Sequence, residues 1–311
     1  MTASAVVFAY HDVGARCLSV LLDNAVDVRL VVTHREDPGE NVFFANVAAL
    51  ARERGLAVET PDDANATAFV EKLRALAPDF LFSFYYRRML SSAVLATAKR
   101  GSFNMHGSLL PKYRGRAPVN WAVLHGERET GATLHEMVEK PDAGRIVGQV
   151  AVPILEDDLA VDVFGKVTAA AERLLRRELP KLLEGRATLT AQDLSKGSYF
   201  GARRPEDGRI DLARGAREIH NLVRAVAPPY PGAFTSLRGR PLKILRTRIE
   251  REALPGPAKV ALRTGSDGRA FLDCADGGAL EILDVQWQDR RLTPRAFCDN
   301  IGPGTHPLDP A

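Results

Sequence analysis

The first third of the chain alternates between short apolar runs and amphipathic runs, and no other feature constrains the fold as strongly. The apolar runs are AVVFAY (5–10), VDVRLVVTH (26–34), LAVETP (56–61) and DFLFSFYY (79–86). Between them lie ARCLSVLLDN (15–24), ENVFFANVAALARERG (40–55) and ATAFVEKLRALAP (66–78), with apolar residues at helical spacing. The second helix should stop at Gly55. Strands alternating with helices pack as a parallel sheet with helices on both faces, so the expected class is α/β with a mainly parallel sheet. Ligands in such sheets bind beyond the carboxyl ends of the strands. His11-Asp12, Tyr85–Leu90 and FNMHGSLLPKYRGRAPVNW (103–121) all fall at such ends.

Further along, GATLHEMV (131–138) and GRIVGQVAVPI (144–154) read as a pair of strands, followed by a long helix over 159–185. The segment 190–209 is polar, Gly-rich and without period, as a linker would be. One helical stretch follows at 216–228. Short strand-like runs with turns then predict a small barrel over 210–300. Residues 301–311 are expected to be a mobile tail. The expected organisation is a catalytic domain over 1–189, a linker, a barrel domain and that tail.

The 311 residues are enough for two domains. A formal net charge of +3 gives no electrostatic warrant for nucleic-acid binding. Three widely spaced cysteines, Cys17, Cys274 and Cys298, without a CxxC pair argue against a disulfide framework and against a zinc site. The N-terminus lacks a signal-peptide pattern, and there is no apolar run of membrane-spanning length, so a cytoplasmic location is expected. The first turn, AYHDVGARCL, has one glycine and lacks G-x-G-x-x-G, and the chain has no G-x-x-x-x-G-K-[ST]. A dinucleotide or phosphate-loop site is therefore not expected.

Asn104 and His106 stand two residues apart, so in a strand both side chains share one face. A lone histidine is more often structural. Here an acid, Asp142, follows in the turn EKPDAGR. An imidazole can take a proton near neutral pH. A neutral amide can donate to an oxygen that gains charge in a tetrahedral intermediate, and a carboxylate can orient the imidazole and favour its charged form. Together they suit acyl transfer to a nucleophile carried by the substrate. Ser108 is a rival nucleophile, but GSLL lacks the G-x-S-x-G elbow, and a bond to the local backbone fits it better.

FNMHGSLLPKYRGRAP, with DAG at 142–144, resembles the signature of the formyltransferases that use 10-formyltetrahydrofolate. The resemblance covers nearly the whole chain. It implies a Rossmann-like N-terminal domain, an OB-like C-terminal barrel, and 10-formyltetrahydrofolate as co-substrate with no metal. It implies Asn104, His106 and Asp142 as the catalytic set. Folate would be held largely by loop backbone at Arg88, Met89, Leu90, Arg116, Val138, Glu139, Lys140, Pro141 and Asp142.

Within the family, FAYHDVG, THREDPGE, FSFYYRRML and HNLVRAVAPPYPGAF resemble the members that formylate UDP-4-amino-4-deoxy-L-arabinose in lipid A modification, the route to polymyxin resistance. Members acting on methionyl-tRNA begin with a G-T-P turn and carry a basic insertion. The corresponding loop here is short and acidic-leaning, and tRNA needs several basic groups. Another nucleotide-linked amino sugar, or methionyl-tRNA, remains the alternative acceptor. A homo-oligomer, or a separate decarboxylase as partner, is compatible with the resemblance. Arg114 is a candidate for substrate phosphates, and Tyr85 for stacking on a flat ring. Trp121 is expected in the core. A non-catalytic folate or nucleotide binder is the contrasting class; the presence of all three catalytic residue types speaks against it.

Overall fold

Phe80–Phe84 is buried along its whole length. The rings of Phe80, Phe82 and Phe84 follow one another at 5.7 Å on one face. On the other face Leu81 packs with Val6, Phe8, Leu30, Val32, Leu73 and Val94. Burial on both faces is what a parallel sheet covered by helices requires of its strands.

A computed structural model of the chain describes residues 2–35, 41–253 and 258–309. Its contacts divide the chain into two units. The first takes Met1–Pro118, Glu129–Pro153 and Phe164–Gly201; the second takes Val119–Arg128, Ile154–Val163 and Ala202–Ala311. In chain order the elements through the first two-thirds are β1 (Ser4–Ala9), α1 (His11–Asp23), β2 (Asp27–Val32), α2 (Val47–Glu53), β3 (Val58–Glu59), α3 (Thr67–Leu76), β4 (Phe80–Phe84), α4 (Ser92–Leu95), β5 (Gly101–His106), β6 (Arg114–Gly115), α5 (Pro118–Leu124), β7 (Glu129–Glu136), β8 (Ile146–Pro153), α6 (Ala160–Leu183) and β9 (Tyr199–Phe200).

Among the described residues, seven of these strands form one sheet in the order β3-β2-β1-β4-β5-β7-β8. The pairs from β3 to β5 are parallel, and β7 and β8 add antiparallel. The mainly parallel, Rossmann-like sheet expected from the alternation is therefore present. Strand order reverses between β1 and β4, the position at which open α/β sheets leave a crevice at their carboxyl ends.

The second helix is shorter than the expected 40–55. Asn46 caps it by accepting from the Ala49 N–H at 2.8 Å. Ahead of the cap, Asp12 accepts from the Ala45 N–H at 2.9 Å. The ring of Phe44 stacks on His11 with centroids 4.0 Å apart. These contacts hold the approach to α2 out of the helix. Glu40 and the acidic part of the preceding loop, 36–40, lie outside the described residues.

The second unit continues with α7 (Ala216–Val226), β10 (Ala233–Leu237), β11 (Arg240–Arg251), β12 (Ala261–Thr264), β13 (Ala270–Asp273), β14 (Ala279–Trp287), β15 (Arg290–Leu292), α8 (Pro294–Ile301) and β16 (Gly304–His306). The order β10-β11-β14-β13-β12-β16, with β15 on β14, is antiparallel throughout. It is consistent with the small OB-like domain expected. Helix α7 turns Arg224 inward. Its guanidinium donates to the Asp158 carbonyl at 3.0 Å and to Asn221 Oδ1 at 2.6 Å, which offsets the cost of burying the charge.

Three expectations change in this region. Residues 301–311 were expected as a mobile tail, but Gly304–His306 pair with β12, and His306 Nε2 lies 2.9 Å from Thr264 Oγ1. Residues 310–311 lie outside the description. Helix α8 stands where only strands were expected; its cues are Thr293, which caps it, and Pro294 at its first position. Trp121 is half-buried rather than in the core, with the Arg203 guanidinium over its ring at 4.9 Å.

Candidate active site

Strand β5 pairs with β4 on one side and β7 on the other, with Asn104 opposite Ser83 and His135 respectively. Strand alternation puts Asn104 and His106 on one face and Met105, 1% exposed, on the other. The Asn104 amide nitrogen lies 3.1 Å from His135 Nε2. His106 Nε2 lies 2.8 Å from the Tyr113 carbonyl oxygen, which can only accept, so Nε2 carries a hydrogen. Its Nδ1 faces Asp142 Oδ1 at 3.6 Å, and His135 Nε2 faces the same oxygen at 3.5 Å. The other oxygen, Oδ2, accepts from the Gly115 N–H at 2.8 Å. The structure thus brings Asn104, His106 and Asp142 together.

Burial on its own would raise the Asp142 carboxyl. The charges that His106 and His135 carry once protonated in acid, the His135 hydrogen bond of that state, and the Gly115 N–H together outweigh it and hold the carboxyl far below the usual carboxylate range. Asp142 occupies a left-handed backbone position, φ 52°. Two residues on, a Cβ at Gly144 would run into the Glu136 carbonyl oxygen. The D-x-G spacing therefore follows from a sharp turn pressed against the end of β7.

The loop between β5 and α5 is tied to the same turn. Ser108 donates to the Lys112 carbonyl at 2.6 Å, the local backbone bond expected of it. Thr133 donates to the Ser108 carbonyl at 2.6 Å. Gly115, at φ 96°, lets β6 pass so close to β9 that a Cβ would meet the Phe200 carbonyl oxygen.

Residues 190–209 read as a linker, yet their first half belongs to this arrangement. The Gln192 side-chain amide donates to the carbonyls of Asp142 and Gly144 at 3.0 and 2.6 Å. The Tyr113 N–H donates to Ser198 Oγ at 2.9 Å, and Phe200 stacks on Tyr113 with centroids 5.4 Å apart. This half of the segment lacks sequence period because it pairs only as a one-residue bridge at Thr190 and a two-residue strand at β9, with side-chain bonds between.

Comparison with known proteins decides the family. The model of the formyl transferase family matches residues 6–179, more than half of the chain, and that of the formyl transferase C-terminal domain matches 203–300. The chain belongs to the formyl transferase family. Among solved structures, an N-formyltransferase from Helicobacter canadensis in complex with folinic acid and dTDP-3-aminofucose aligns at TM-score 0.72 and 22% identity, over 91% of this chain and 99% of that one. A sugar 3N-formyl transferase, WlaRD, solved with dTDP and 5-N-formyl-THF, aligns at 0.70 and 19%, over 93% and 99%. HypX from Aquifex aeolicus in complex with tetrahydrofolic acid aligns at 0.62 and 18%, over 94% of this chain and 46% of that one. At these identities the likeness is one of fold.

In this formyl transferase the loop after β4 is exposed at Arg88 and Met89. The Arg88 guanidinium bonds the carbonyls of Pro61 and Asp62. Asn65 clamps the loop by donating to the Met89 carbonyl at 2.9 Å and accepting from the Ser91 N–H at 2.7 Å, and Leu90 is buried in the core. Arg116 is exposed and reaches the Arg87 carbonyl at 3.1 Å, joining the signature loop to the β4 loop. Val138, Glu139 and Lys140 are exposed, and Pro141 is half-buried, on the approach to Asp142. Tyr85 is half-buried at φ 60°, edge-on to Phe164. Arg114 is buried, and its Nε has no hydrogen-bond partner among the described residues.

The residue that sequence reading missed is His135. GATLHEMV was read as a strand, but its histidine was not weighed. The missing signal is pairing: only the antiparallel register of β5 on β7 sets His135 against Asn104. Among the described residues, no helix is long and apolar enough to cross a membrane.

Proposed function

We propose that this chain transfers the formyl group of 10-formyltetrahydrofolate to the amino group of a nucleotide-linked amino sugar, with UDP-4-amino-4-deoxy-L-arabinose as the first acceptor to test. The convergence of Asn104, His106 and Asp142 at the carboxyl end of β5 carries this reading. The amine attacks the formyl carbon, and the Asn104 amide stabilises the oxyanion. In the neutral His106 ring Nε2 holds the hydrogen bonded to Tyr113, so Nδ1, on the Asp142 side, is the nitrogen left to take the amine proton. Asp142, ionised beside it, stabilises the imidazolium. The bond from the formyl carbon to N10 then breaks, the proton passes to N10, and tetrahydrofolate leaves.

The folate reading draws on the exposed residues Arg88 and Met89 after β4 and Val138–Lys140 just before Asp142, together with Arg116, Leu90 and Pro141. Neighbours of this fold bind folinic acid or tetrahydrofolate. The amino-sugar reading is supported by two neighbours solved with dTDP or a dTDP-amino sugar. A buried guanidinium with an unpaired Nε suits a phosphate, which favours Arg114 as a substrate contact; Tyr85, the residue that follows β4, is the second candidate.

The test incubates the protein with 10-formyltetrahydrofolate and each candidate acceptor, and follows the acceptor by mass spectrometry. A gain of one CO on the UDP-aminopentose supports the full reading. The same gain only on dTDP-amino sugars moves the acceptor and keeps the chemistry. A gain on methionyl-tRNA alone, or formate release without an acceptor, overturns the amino-sugar reading.

A further inference from the structure

We infer that His135 is a positioning residue, which fixes the roll of the Asn104 carboxamide and so presents an N–H, not a carbonyl, to the reacting oxygen. The inference rests on the formyl-transfer reading above for what that oxygen is, but not for the geometry. His135 is 1% exposed. Its Nδ1 lies 2.8 Å from the Glu136 carbonyl oxygen. A carbonyl can only accept, so Nδ1 carries the ring hydrogen and Nε2 of the neutral ring has a lone pair. That lone pair sits 3.1 Å from the Asn104 side chain, at hydrogen-bonding distance, while Asp142 Oδ1 at 3.5 Å is farther.

An acceptor at Nε2 decides the amide. The nitrogen end must face His135, because the oxygen end would set two lone pairs against each other in a buried site. One amide hydrogen is then spent on the ring, and the second remains for the developing oxyanion. Without His135 nothing described at that position distinguishes the two rolls. The flipped amide would meet the oxyanion with its own oxygen.

Two measurements test this. The first uses His135→Leu, His135→Gln and each combined with Asn104→Ala. Gln can place an oxygen near the Nε2 position and accept from Asn104; Leu cannot. The expected result is a fall in kcat of up to about 10²-fold for His135→Leu, with KM for the formyl donor little changed. Most of the loss should return in His135→Gln, and the Leu penalty should vanish in the Asn104→Ala background, because the residues act as one unit. Equal losses in Leu and Gln, or penalties that multiply independently of Asn104, overturn the proposal. The second measurement needs no turnover. Nitrogen-15 histidine spectra, with His135→Gln used for assignment, should give a neutral ring protonated at Nδ1. A ring protonated at Nε2, or an imidazolium at neutral pH, overturns it. If the wild-type protein formylates no amine, the functional reading fails while the spectra still decide on His135.

Discussion

The Gly115 N–H donates to Asp142 Oδ2 at 2.8 Å, across 27 residues of chain. This bond closes the signature loop onto the D-x-G turn and leaves Oδ1 for His106 and His135. Two separate sequence motifs therefore make one charged centre. The Gly115 N–H and the two imidazole rings, which are cations in the acid range where a carboxyl titrates, hold the carboxyl low, although burial works against the charge.

That balance has a consequence in acid. The folded-state carboxyl is depressed below its unfolded value of ~4. Between the two values the unfolded chain binds the extra proton, so stability rises with pH there. The contribution is fully present above about pH 4 and is lost as the pH falls towards the folded value. Urea unfolding from pH 6 down to pH 3 should therefore give a stability difference between wild type and Asp142→Asn that narrows on acidification. A constant difference would show that the folded state does not depress the carboxyl.

In the proposed mechanism, replacing Asn104 by Ala removes the single amide donor for the oxyanion while keeping β5, whose pairing is made by backbone. Losing one such donor typically costs about 10²–10³ in kcat. KM for the formyl donor should move much less, because the interaction strengthens in the transition state. Steady-state kinetics with the formylated acceptor as readout checks this. A loss confined to KM would assign Asn104 to ground-state binding instead.

Much of the fold was legible because it depends on periodicity. The apolar run at 79–86 could be little else than a doubly buried strand, and its phenylalanines and Leu81 take the two faces as alternation requires. Asn104 and His106 were legible for the same reason: a period of two sets both on one face. His135 was not, since its place depends on which strand lies beside β5 and in what register. Gln192 was not, because an isolated side-chain bond to two carbonyls leaves no period in the sequence. Helix α2 was drawn too long because the apolar spacing of 40–55 runs on through 41–46, where the Asn46 cap, the bond from Ala45 to Asp12 and the Phe44–His11 stack hold the chain out of the helix. Strand β16 sits in Gly- and Pro-rich chain that reads as a tail, and it is a strand because β12 offers an edge.

The three cysteines are free and buried. Burial first, helped by the nearby Glu172, pushes the Cys17 thiol far up, and burial with Asp276 and Asp273 pushes Cys274 up to about 12. The reactive species is the thiolate. At pH 8 the native protein should therefore resist alkylation at Cys17 and Cys274, and unfolding in guanidinium should expose all three. Mass spectrometry after a short iodoacetamide pulse would read this directly, and rapid native labelling of Cys17 would contradict the packing of α1 against the sheet.

Gln192 holds the carbonyls of Asp142 and Gly144 with one amide, and so braces the backbone of the turn whose side chain Gly115 holds. It touches no atom proposed to react. Gln192→Ala should leave the fold of the sheet intact, since Gln192 is not part of the core on β1, β2 and β4. It should still loosen the position of Asp142, and a displacement near 1 Å at a catalytic group can cost about 10²-fold in rate. The expected outcome is a clear drop in kcat with a melting temperature within a few degrees of wild type. Gln192→Glu separates bracing from mere space-filling, because a carboxylate there cannot donate to either carbonyl. If the Glu variant keeps wild-type turnover, the two hydrogen bonds do not position Asp142; if both variants lose rate together, they do.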